Sequence, residues 1–383
     1  MIRIVDKSKC CGCTACMNIC PAQCIVMRRD REGFDYPVAD PDRCISCGRC
    51  EAVCPVGNQN KVAEPVVALA ARSPEFVKES SSGGIFPLLA RTVIEDSGVV
   101  FGVVMNPDLT VCHAEAEDMA EVHRMRGSKY VQSELYGALE DVKAGLEKGR
   151  KIMFTGTPCQ IAGLKAYLHE DYEGLLLVDC ACHGVPSPGL WEKYVKALGE
   201  KYDLKISHID FRGKHRSWRK YDFVISGDGR KVSVPRMKDP YMALFLQDMT
   251  LRPSCYQCPF RKGRSGSDIT LADLWNVAEA LPEMDDDRGV SLILVNTPKG
   301  QSALDAAGVR YRSLDPEVAL RRNGAFADSM VQPRNRSEFF NGVHSAGDLI
   351  RYMKGYVVKE SLPKNIYRSL HSLLAGIKRR LKK

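Results

Sequence analysis

The chain has 383 residues, of which 44% are hydrophobic and 27% are charged, and its formal net charge is +8. This composition excludes an intrinsically disordered chain, and the length predicts two or three globular domains. No nucleic-acid recognition motif accompanies the positive charge, so we expect anionic small molecules or an acidic redox protein as partners, and no nucleic acid. The sixteen cysteines follow no apolar leader segment, which predicts a reducing, cytoplasmic setting where they are metal ligands or buried thiols.

The first 57 residues, here called the head, contain the motif C-x2-C-x2-C-x3-C-P twice. The copies contain Cys10, Cys13, Cys16 and Cys20, and Cys44, Cys47, Cys50 and Cys54. This spacing is typical of ferredoxins with two [4Fe-4S] clusters, in which the fourth cysteine of each copy ligates the other cluster. We therefore predict that Cys54 completes the first ligand set and Cys20 the second. Zinc sites use more widely separated C-x2-C pairs, so zinc is the weaker alternative.

After a polar, proline-ended linker at 58–65, residues 66–330 alternate short apolar runs with amphipathic stretches, which is typical of an α/β domain. The predicted strands are 99–105, 151–155, 175–178 and 290–296. The predicted helices are 85–96, 133–148, 160–168 and 188–198. Residues 206–212, 221–226 and 231–234 predict an antiparallel insertion, and Gly227-Asp228-Gly229 indicates its hairpin turn.

A second set of cysteines lies in this α/β region. Cys159 and Cys182 each follow a predicted strand, and the carboxyl ends of neighbouring parallel strands share one edge of the sheet. Cys255 and Cys258 form a C-x2-C pair. The four predict a third [4Fe-4S] cluster, with structural zinc as the rival and Cys180 as an alternative to Cys182.

Two small-residue turns are candidates for binding a phosphate. Ser82-Gly83-Gly84 precedes a predicted helix, and Gly127-Ser128-Lys129 forms a second, cationic turn. Lys129 and Lys214 are candidates for neutralising a cofactor phosphate or a substrate carboxylate. Because iron–sulfur clusters transfer single electrons whereas most organic substrates exchange hydride, we expect a flavin to join the two. The chain has no G-x-G-x-x-G motif, which argues against a standard dinucleotide-binding fold.

These segments together resemble the coenzyme F420 hydrogenase/dehydrogenase beta-subunit family over about residues 1–300. The matching segments are 81–84, 127–133, 156–161, 182–187, 211–214 with Trp218, and 255–258. The resemblance implies an FAD-binding α/β domain with its own cluster, in which hydride is exchanged with coenzyme F420. It assigns Cys159, Cys182, Cys255 and Cys258 to the cluster, and Ser82, Gly83, Gly84, Gly127, Ser128, Lys129 and Thr157 to FAD. At Lys214 the chain departs from the commoner Arg-Asp-Lys form, because Gly213 follows Arg212.

Residues 331–383 predict a helical extension, in which 365–383 form an amphipathic helix with a basic end. Such a helix binds a membrane surface or an acidic partner, or is simply solvated. The predicted architecture is therefore a ferredoxin-like dicluster module, an α/β domain with FAD and a third cluster, and a helical tail. The predicted function is an iron–sulfur flavoprotein oxidoreductase that serves a redox protein and a small-molecule hydride donor or acceptor. The alternative is a non-catalytic electron-transfer subunit of a larger complex.

Overall fold

The computed structural model describes residues 1–57 and 67–358. Its strands are β1 Ile25–Arg29, β2 Asp35–Ala39, β3 Val67–Ala71, β4 Val99–Met105, β5 Val111–Ala116, β6 Ile152–Gly156, β7 Leu175–Cys180, β8 Ile206–Gly213, β9 Asp222–Gly227, β10 Arg230–Pro235, β11 Ile269–Asp273, β12 Ser291–Val295 and β13 Tyr311–Leu314. Its α-helices are α1 Ala15–Asn18, α2 Arg49–Ala52, α3 Ile85–Glu95, α4 Met119–Met125, α5 Ala138–Glu147, α6 Pro158–Leu168, α7 Pro188–Tyr202, α8 Pro240–Leu246, α9 Val277–Ala280, α10 Pro298–Ala306, α11 Pro316–Leu320, α12 Gly324–Ala327, α13 Arg336–Val343 and α14 Leu349–Tyr356. Short 3-10 helices cover Lys7–Lys9, Pro253–Gln257 and Pro282–Met284.

In the head, the two copies of the cysteine motif have the same backbone conformation. The second and fourth residues after the first cysteine have positive φ in both copies, at 74° for Gly12, 60° for Thr14, 55° for Ser46 and 73° for Gly48. Each pair leads into a one-turn helix, α1 or α2. Left-handed residues in such turns direct successive N–H groups toward one concave side, which favours an anionic group such as an iron–sulfur cluster.

The remaining described residues, 67–358, are here called the body, and their main element is an eight-stranded sheet. Its strand order is β13-β3-β12-β11-β7-β6-β4-β5, and the four strands from β11 to β4 run parallel. Helices cover both faces, so the central strands are mostly apolar. Phe154 packs with α5 and α6 on one face, whereas Met153 packs with α3 on the other. This arrangement confirms the α/β prediction.

The antiparallel insertion is confirmed as a separate three-stranded sheet in the order β10-β9-β8. Its hairpin turn contains Asp228 and Gly229 with φ of 46° and 70°. Two consecutive residues of positive φ fit the type I′ turn, whose twist matches that of the strands it joins.

The helix predicted at 133–148 begins later than expected. The helix expected from residue 133 begins at Ala138, because the residues before it pair with a strand instead. Glu134 donates its backbone N–H to Val111 and accepts one from His113, both in β5. Glu134 thereby forms a bridge with Cys112 at the outer edge of the sheet, beside β5.

The head is packed into the body rather than standing apart from it. Phe34 and Tyr36 belong to the same aromatic cluster as Trp191, and Cys13 belongs to a second cluster with Ile161 of α6. Ile2, Cys24 and Ile25 belong to a small cluster made of head residues alone, so the head has a small cluster of its own and shares two larger ones with the body. The predicted linker at 58–65 and the basic helix at 365–383 lie outside the described residues, and among the described helices none is long and apolar enough to cross a membrane.

Candidate functional site

Four head cysteines line one surface cavity, here called the outer site. They are Cys20, Cys44, Cys47 and Cys50. The first three cysteines of the second copy therefore share a cavity with the fourth cysteine of the first copy. Cys47 is exposed, and the backbone N–H of Ile2 donates to the Cys50 Sγ at 3.3 Å. Cys24, which lies outside the motif, also lines this cavity. Its Sγ is 3.4 Å from the Cys20 Sγ.

The other four, Cys10, Cys13, Cys16 and Cys54, are here called the inner site. Cys10 and Cys13 are buried. Burial, with the neighbouring Cys10 and Cys54 thiols, raises the pKa of Cys16 to about 12. Helix α6 of the body approaches so closely that a Cβ on Gly163 would lie 2.9 Å from the Cys13 Sγ. The inner site thus lies against the body, whereas the outer site faces solvent.

A third cavity lies between the body and the head and is here called the third site. Six cysteines line it: Cys11, Cys159, Cys180, Cys182, Cys255 and Cys258. The parallel pairing of β6 with β7 carries Cys159 and Cys182 to the same sheet edge, because each follows one of these strands. The 3-10 helix Pro253–Gln257 supplies Cys255, and Cys258 follows it. The structure therefore brings together all four cysteines that the sequence assigned to a third cluster.

Cys11 and Cys180 are the additional thiols of this site. The Cys11 thiol is a neighbour of the Cys159 thiol, and the Cys180 thiol is a neighbour of the Cys182 thiol. Cys11 lies outside the regular spacing of the head motif, and no pattern in the sequence indicated its place here. Within the described residues, no three His, Cys, Asp or Glu side chains converge tightly enough to hold a single metal ion.

The thiols of the third site are strongly held in their neutral form. The contact with Cys11, followed by burial, raises the pKa of Cys159 well above its ordinary value, and burial raises the pKa of Cys258 to about 12. The backbone N–H of Val185 lies 3.5 Å from the Cys255 Sγ. Such buried thiols ionise when a metal supplies the positive charge, since metal coordination deprotonates a thiol.

The two small-residue turns lie side by side. The backbone N–H of Ser128 donates to the Ser81 Oγ at 2.7 Å, which joins segment 127–129 to segment 80–84. A Cβ on Gly83 would lie 2.6 Å from the Ala71 carbonyl oxygen, so the packing of this turn on the sheet already requires glycine there. Gly84 has φ of 83° at the start of α3, and Gly127 has φ of 84° with open space around it.

Most of the remaining predicted flavin residues make internal contacts. The Lys129 ammonium donates to four carbonyl oxygens at the end of α4, at 2.9 to 3.3 Å. The Lys214 ammonium donates to the carbonyls of Val77, Ser82 and Arg288. Thr157 caps α6 and lies 3.2 Å from the Cys159 Sγ, and the Ser82 Oγ donates to the Val290 carbonyl oxygen.

Two arginines near the turns were not assigned to FAD from the sequence. Arg126 donates to the Phe76 carbonyl oxygen and the Ser80 Oγ, and Arg212 forms a bidentate ion pair with Asp273. In each, the buried Nε lacks an acceptor among the described residues. A buried, unused donor beside a glycine-containing turn fits an anionic cofactor, because an unpaired buried polar group is otherwise costly.

A buried network connects Ser133 and β5 to the turn that carries Cys159. His113 lies 3.1 Å from the Ser133 Oγ and 2.9 Å from the Thr155 carbonyl oxygen, and Gln160 donates to the Ser133 Oγ at 2.9 Å. Burial lowers the pKa of His113 to about 4, so its ring is neutral. The network joins the segment after Gly127 to the turn that carries Cys159.

Comparison with known proteins identifies two regions. Residues 9–58 match the family model of a 4Fe-4S dicluster domain, and residues 149–314 match the family model of the C-terminal part of the coenzyme F420 hydrogenase/dehydrogenase beta subunit. The prediction of a dicluster head is therefore confirmed, and so is the resemblance to the beta-subunit family. No curated protein matches the chain. Among solved structures, a chain of the F420-reducing [NiFe] hydrogenase complex from Methanosarcina barkeri is similar at 18% identity and a TM-score of 0.47, over 75% of this chain and 95% of that one.

Proposed function

Since the chain joins a 4Fe-4S dicluster domain to a C-terminal domain of the coenzyme F420 hydrogenase/dehydrogenase beta-subunit family, we propose that it is an iron–sulfur flavoprotein oxidoreductase. The proposed reaction couples single-electron transfer through the head to hydride exchange with coenzyme F420 or another small molecule. The observation that carries the proposal is the third site, where five body cysteines line one cavity with Cys11 of the head. A head that only passed electrons to another protein would not need buried thiols at its contact with the body.

In this proposal, Cys159, Cys182, Cys255 and Cys258 hold a third [4Fe-4S] cluster, and Cys11 and Cys180 lie beside it. Iron–sulfur clusters, when bound, accept and release single electrons at potentials that their surroundings adjust. The chain contributes a buried pocket with four thiols on three separate segments. It also connects the third site to the inner site, because Cys11 is adjacent in sequence to Cys10 and its thiol is a neighbour of the Cys159 thiol.

We further propose that FAD binds at the joined turns 80–84 and 127–129. FAD, when bound, supplies the conversion between one-electron and two-electron chemistry. Ser82, Gly83, Gly84, Gly127 and Ser128 would approach it through their backbone, and the free Nε groups of Arg126 and Arg212 would donate to its anionic part. Lys129, Lys214 and Thr157 support these turns through the carbonyl and capping contacts described above, so their part in binding is to hold the turns in place.

The second candidate function is an electron-transfer subunit without a flavin of its own. It is favoured by the two lysine ammoniums, which are already surrounded by carbonyl oxygens of the protein. Under this alternative the exposed outer site and the third site would exchange electrons with a partner redox protein, and no hydride chemistry would occur on this chain.

Cofactor analysis of the anaerobically purified full-length protein tests both functions. The proposal predicts about twelve iron atoms, matched by acid-labile sulfide, and one FAD per chain. The variant Cys159→Ser should lose about four of these iron atoms, whereas Cys112→Ser, a cysteine of β5 away from the cavity, should lose none. A full complement of iron without flavin refutes the flavoprotein and leaves the electron-transfer subunit. If the wild type contains zinc that Cys159→Ser lacks, while eight iron atoms are retained, the third site is a structural zinc site.

A further inference from the structure

The two head sites carry the same ligand motif, so any difference between their clusters must come from the surroundings. Each site draws three cysteines from one C-x2-C-x2-C-x3-C-P copy and the fourth from the other copy. The reduction potential of an iron–sulfur cluster depends on net charge, hydrogen bonds to sulfur and solvent exposure. An inference about such a difference rests on the predicted assignment of the head cysteines to two clusters. It requires neither the flavin nor the third cluster.

Arg252 is the residue that distinguishes the inner site. Its side chain is among the largest that are fully buried, at 1% exposure. Its Nε donates to the Cys10 carbonyl oxygen at 2.8 Å, and its Nη2 lies 3.7 Å from the Cys10 Sγ. Nη1 donates to the Gln132 Oε1 at 3.0 Å and Nη2 to the Asp35 carbonyl oxygen at 2.9 Å. The guanidinium also lies 4.2 Å from the centre of the Tyr36 ring.

The charge of Arg252 lacks a carboxylate partner. Two other buried arginines, Arg212 and Arg336, form bidentate pairs with Asp273 and Glu32. Arg252 forms no such ion pair with any described residue. The neighbouring groups that could carry a negative charge are the Tyr36 hydroxyl and cysteine thiols. A buried guanidinium without a counter-charge is strongly disfavoured. A cluster held by thiolates is anionic and would supply that charge.

A second arginine repeats the pattern at the third site. Arg261 is 8% exposed and donates to the carbonyl oxygens of Cys182, His183 and Ala325, and no ion pair with a described residue includes it. Arg252 and Arg261, which donate to carbonyl oxygens of cysteines, therefore lack carboxylate partners. Arg212 and Arg336, which donate to no cysteine, have them.

The outer site has no equivalent cation among the described residues. Arg49, next to Cys50, is exposed, and the amino group of Met1 is partly exposed and lies 3.4 Å from Glu51. Water and a paired carboxylate screen both charges. The two motif copies also differ in sequence at the position that faces Arg252. At the inner site this position is Gly12, where an added Cβ would lie only 2.9 Å from the Arg252 Nη1. The corresponding position of the outer copy is Ser46.

We propose that Arg252 is the counter-ion of the inner cluster and raises its reduction potential. Reduction by one electron adds negative charge to a buried, already anionic group, and a fixed positive charge nearby stabilises that reduced state. No proton needs to accompany the electron, because the guanidinium remains charged throughout. At the outer site, water performs most of this stabilisation.

An EPR-monitored redox titration of the anaerobic, full-length holoprotein with dithionite as reductant tests the proposal. In Arg252→Gln, the midpoint potential of one head cluster should become more negative while the other stays unchanged. Arg252→Lys keeps the charge and should remain near the wild-type potential. Cys47→Ser, at the exposed outer site, identifies the wave of the outer cluster. Arg336→Gln and Arg49→Gln are matched controls, a buried arginine paired with a carboxylate and an exposed arginine, and should move neither wave.

Unchanged cluster potentials in Arg252→Gln overturn the proposal. An equal shift in Arg252→Gln and Arg252→Lys also overturns it, because the effect would then come from the shape of the side chain and not from its charge. If Arg252→Gln loses the inner cluster during purification, iron content decides the question. Retention of this iron in Arg252→Lys supports a counter-ion, whereas its loss in both variants shows that the residue acts through packing.

Discussion

Replacing Glu32 by glutamine tests how strongly the body holds the head. Glu32 is in the turn between β1 and β2, and it accepts two hydrogen bonds from Arg336 of α13, at 2.9 and 2.7 Å. Arg336 is 3% exposed, and its guanidinium also donates to the Leu251 carbonyl oxygen, next to Arg252. Glutamine preserves the shape of the side chain but leaves Arg336 buried without a counter-charge.

The expected cost follows from the geometry. Two unit charges about 4 Å apart attract by about 4 kcal/mol at an effective dielectric constant of about 20. The Glu32 side chain is 22% exposed, so we reduce this figure for solvent screening to about 2 kcal/mol. Arg336→Met should cost less than Glu32→Gln, because the released carboxylate can be hydrated whereas the buried guanidinium cannot.

The assay is a double-mutant cycle on the holoprotein, in which urea unfolding is followed by cluster absorbance and by far-ultraviolet circular dichroism. Both probes are needed because a protein with bound clusters need not unfold in one step. We expect a coupling free energy of about 2 kcal/mol between the two positions. A coupling below about 0.5 kcal/mol, the usual limit of additivity, would show that this pair does not hold the head.

Three other predictions concern single positions. Gly163→Ala should destabilise the contact between α6 and Cys13 by about 1–3 kcal/mol through overpacking and lower the iron content of the head, whereas Gly324→Ala, with nothing within 4 Å of the added Cβ, should retain full iron. The pKa of His113 falls from about 6.5 unfolded to about 4 folded, so the unfolded state binds the extra proton and wild-type stability should fall as pH drops from 6.5 to 4. At pH 5.5 the wild type should have lost about 1.4 kcal/mol more unfolding free energy than His113→Gln, as measured by urea unfolding. If the stability of both proteins changed with pH in the same way, the predicted effect of His113 would be excluded. Arg212→Gln should lower FAD retention on gel filtration at least tenfold, whereas Arg322→Gln, an exposed arginine of the body, should retain FAD like the wild type.

Local sequence determined the elements whose signals are short-range. The cysteine spacing predicted the dicluster head, and short apolar runs predicted β4, β6 and β7, because a strand buried on both faces is mostly apolar. The fourth parallel strand, β11, was not predicted. The Asp228-Gly229 turn was likewise predictable, since few residues tolerate two successive positive φ angles. The prediction of helix for segment 133–137 was wrong because its pairing partner, β5, lies about 20 residues earlier in the chain.

The grouping of the third-site cysteines was predictable in part, since residues that follow parallel strands meet at one sheet edge. Cys11 was not, because its place depends on how the head docks on α6. The same applies to Arg252, which in the sequence precedes a C-x2-C pair but in space contacts Cys10, 242 residues away. By itself the sequence determined the dicluster motif of the head and predicted which elements carry the other cysteines. Only the tertiary structure decided which head site is buried, which thiols meet across the contact and which arginines lack a carboxylate, because those properties arise from side chains far apart in the chain.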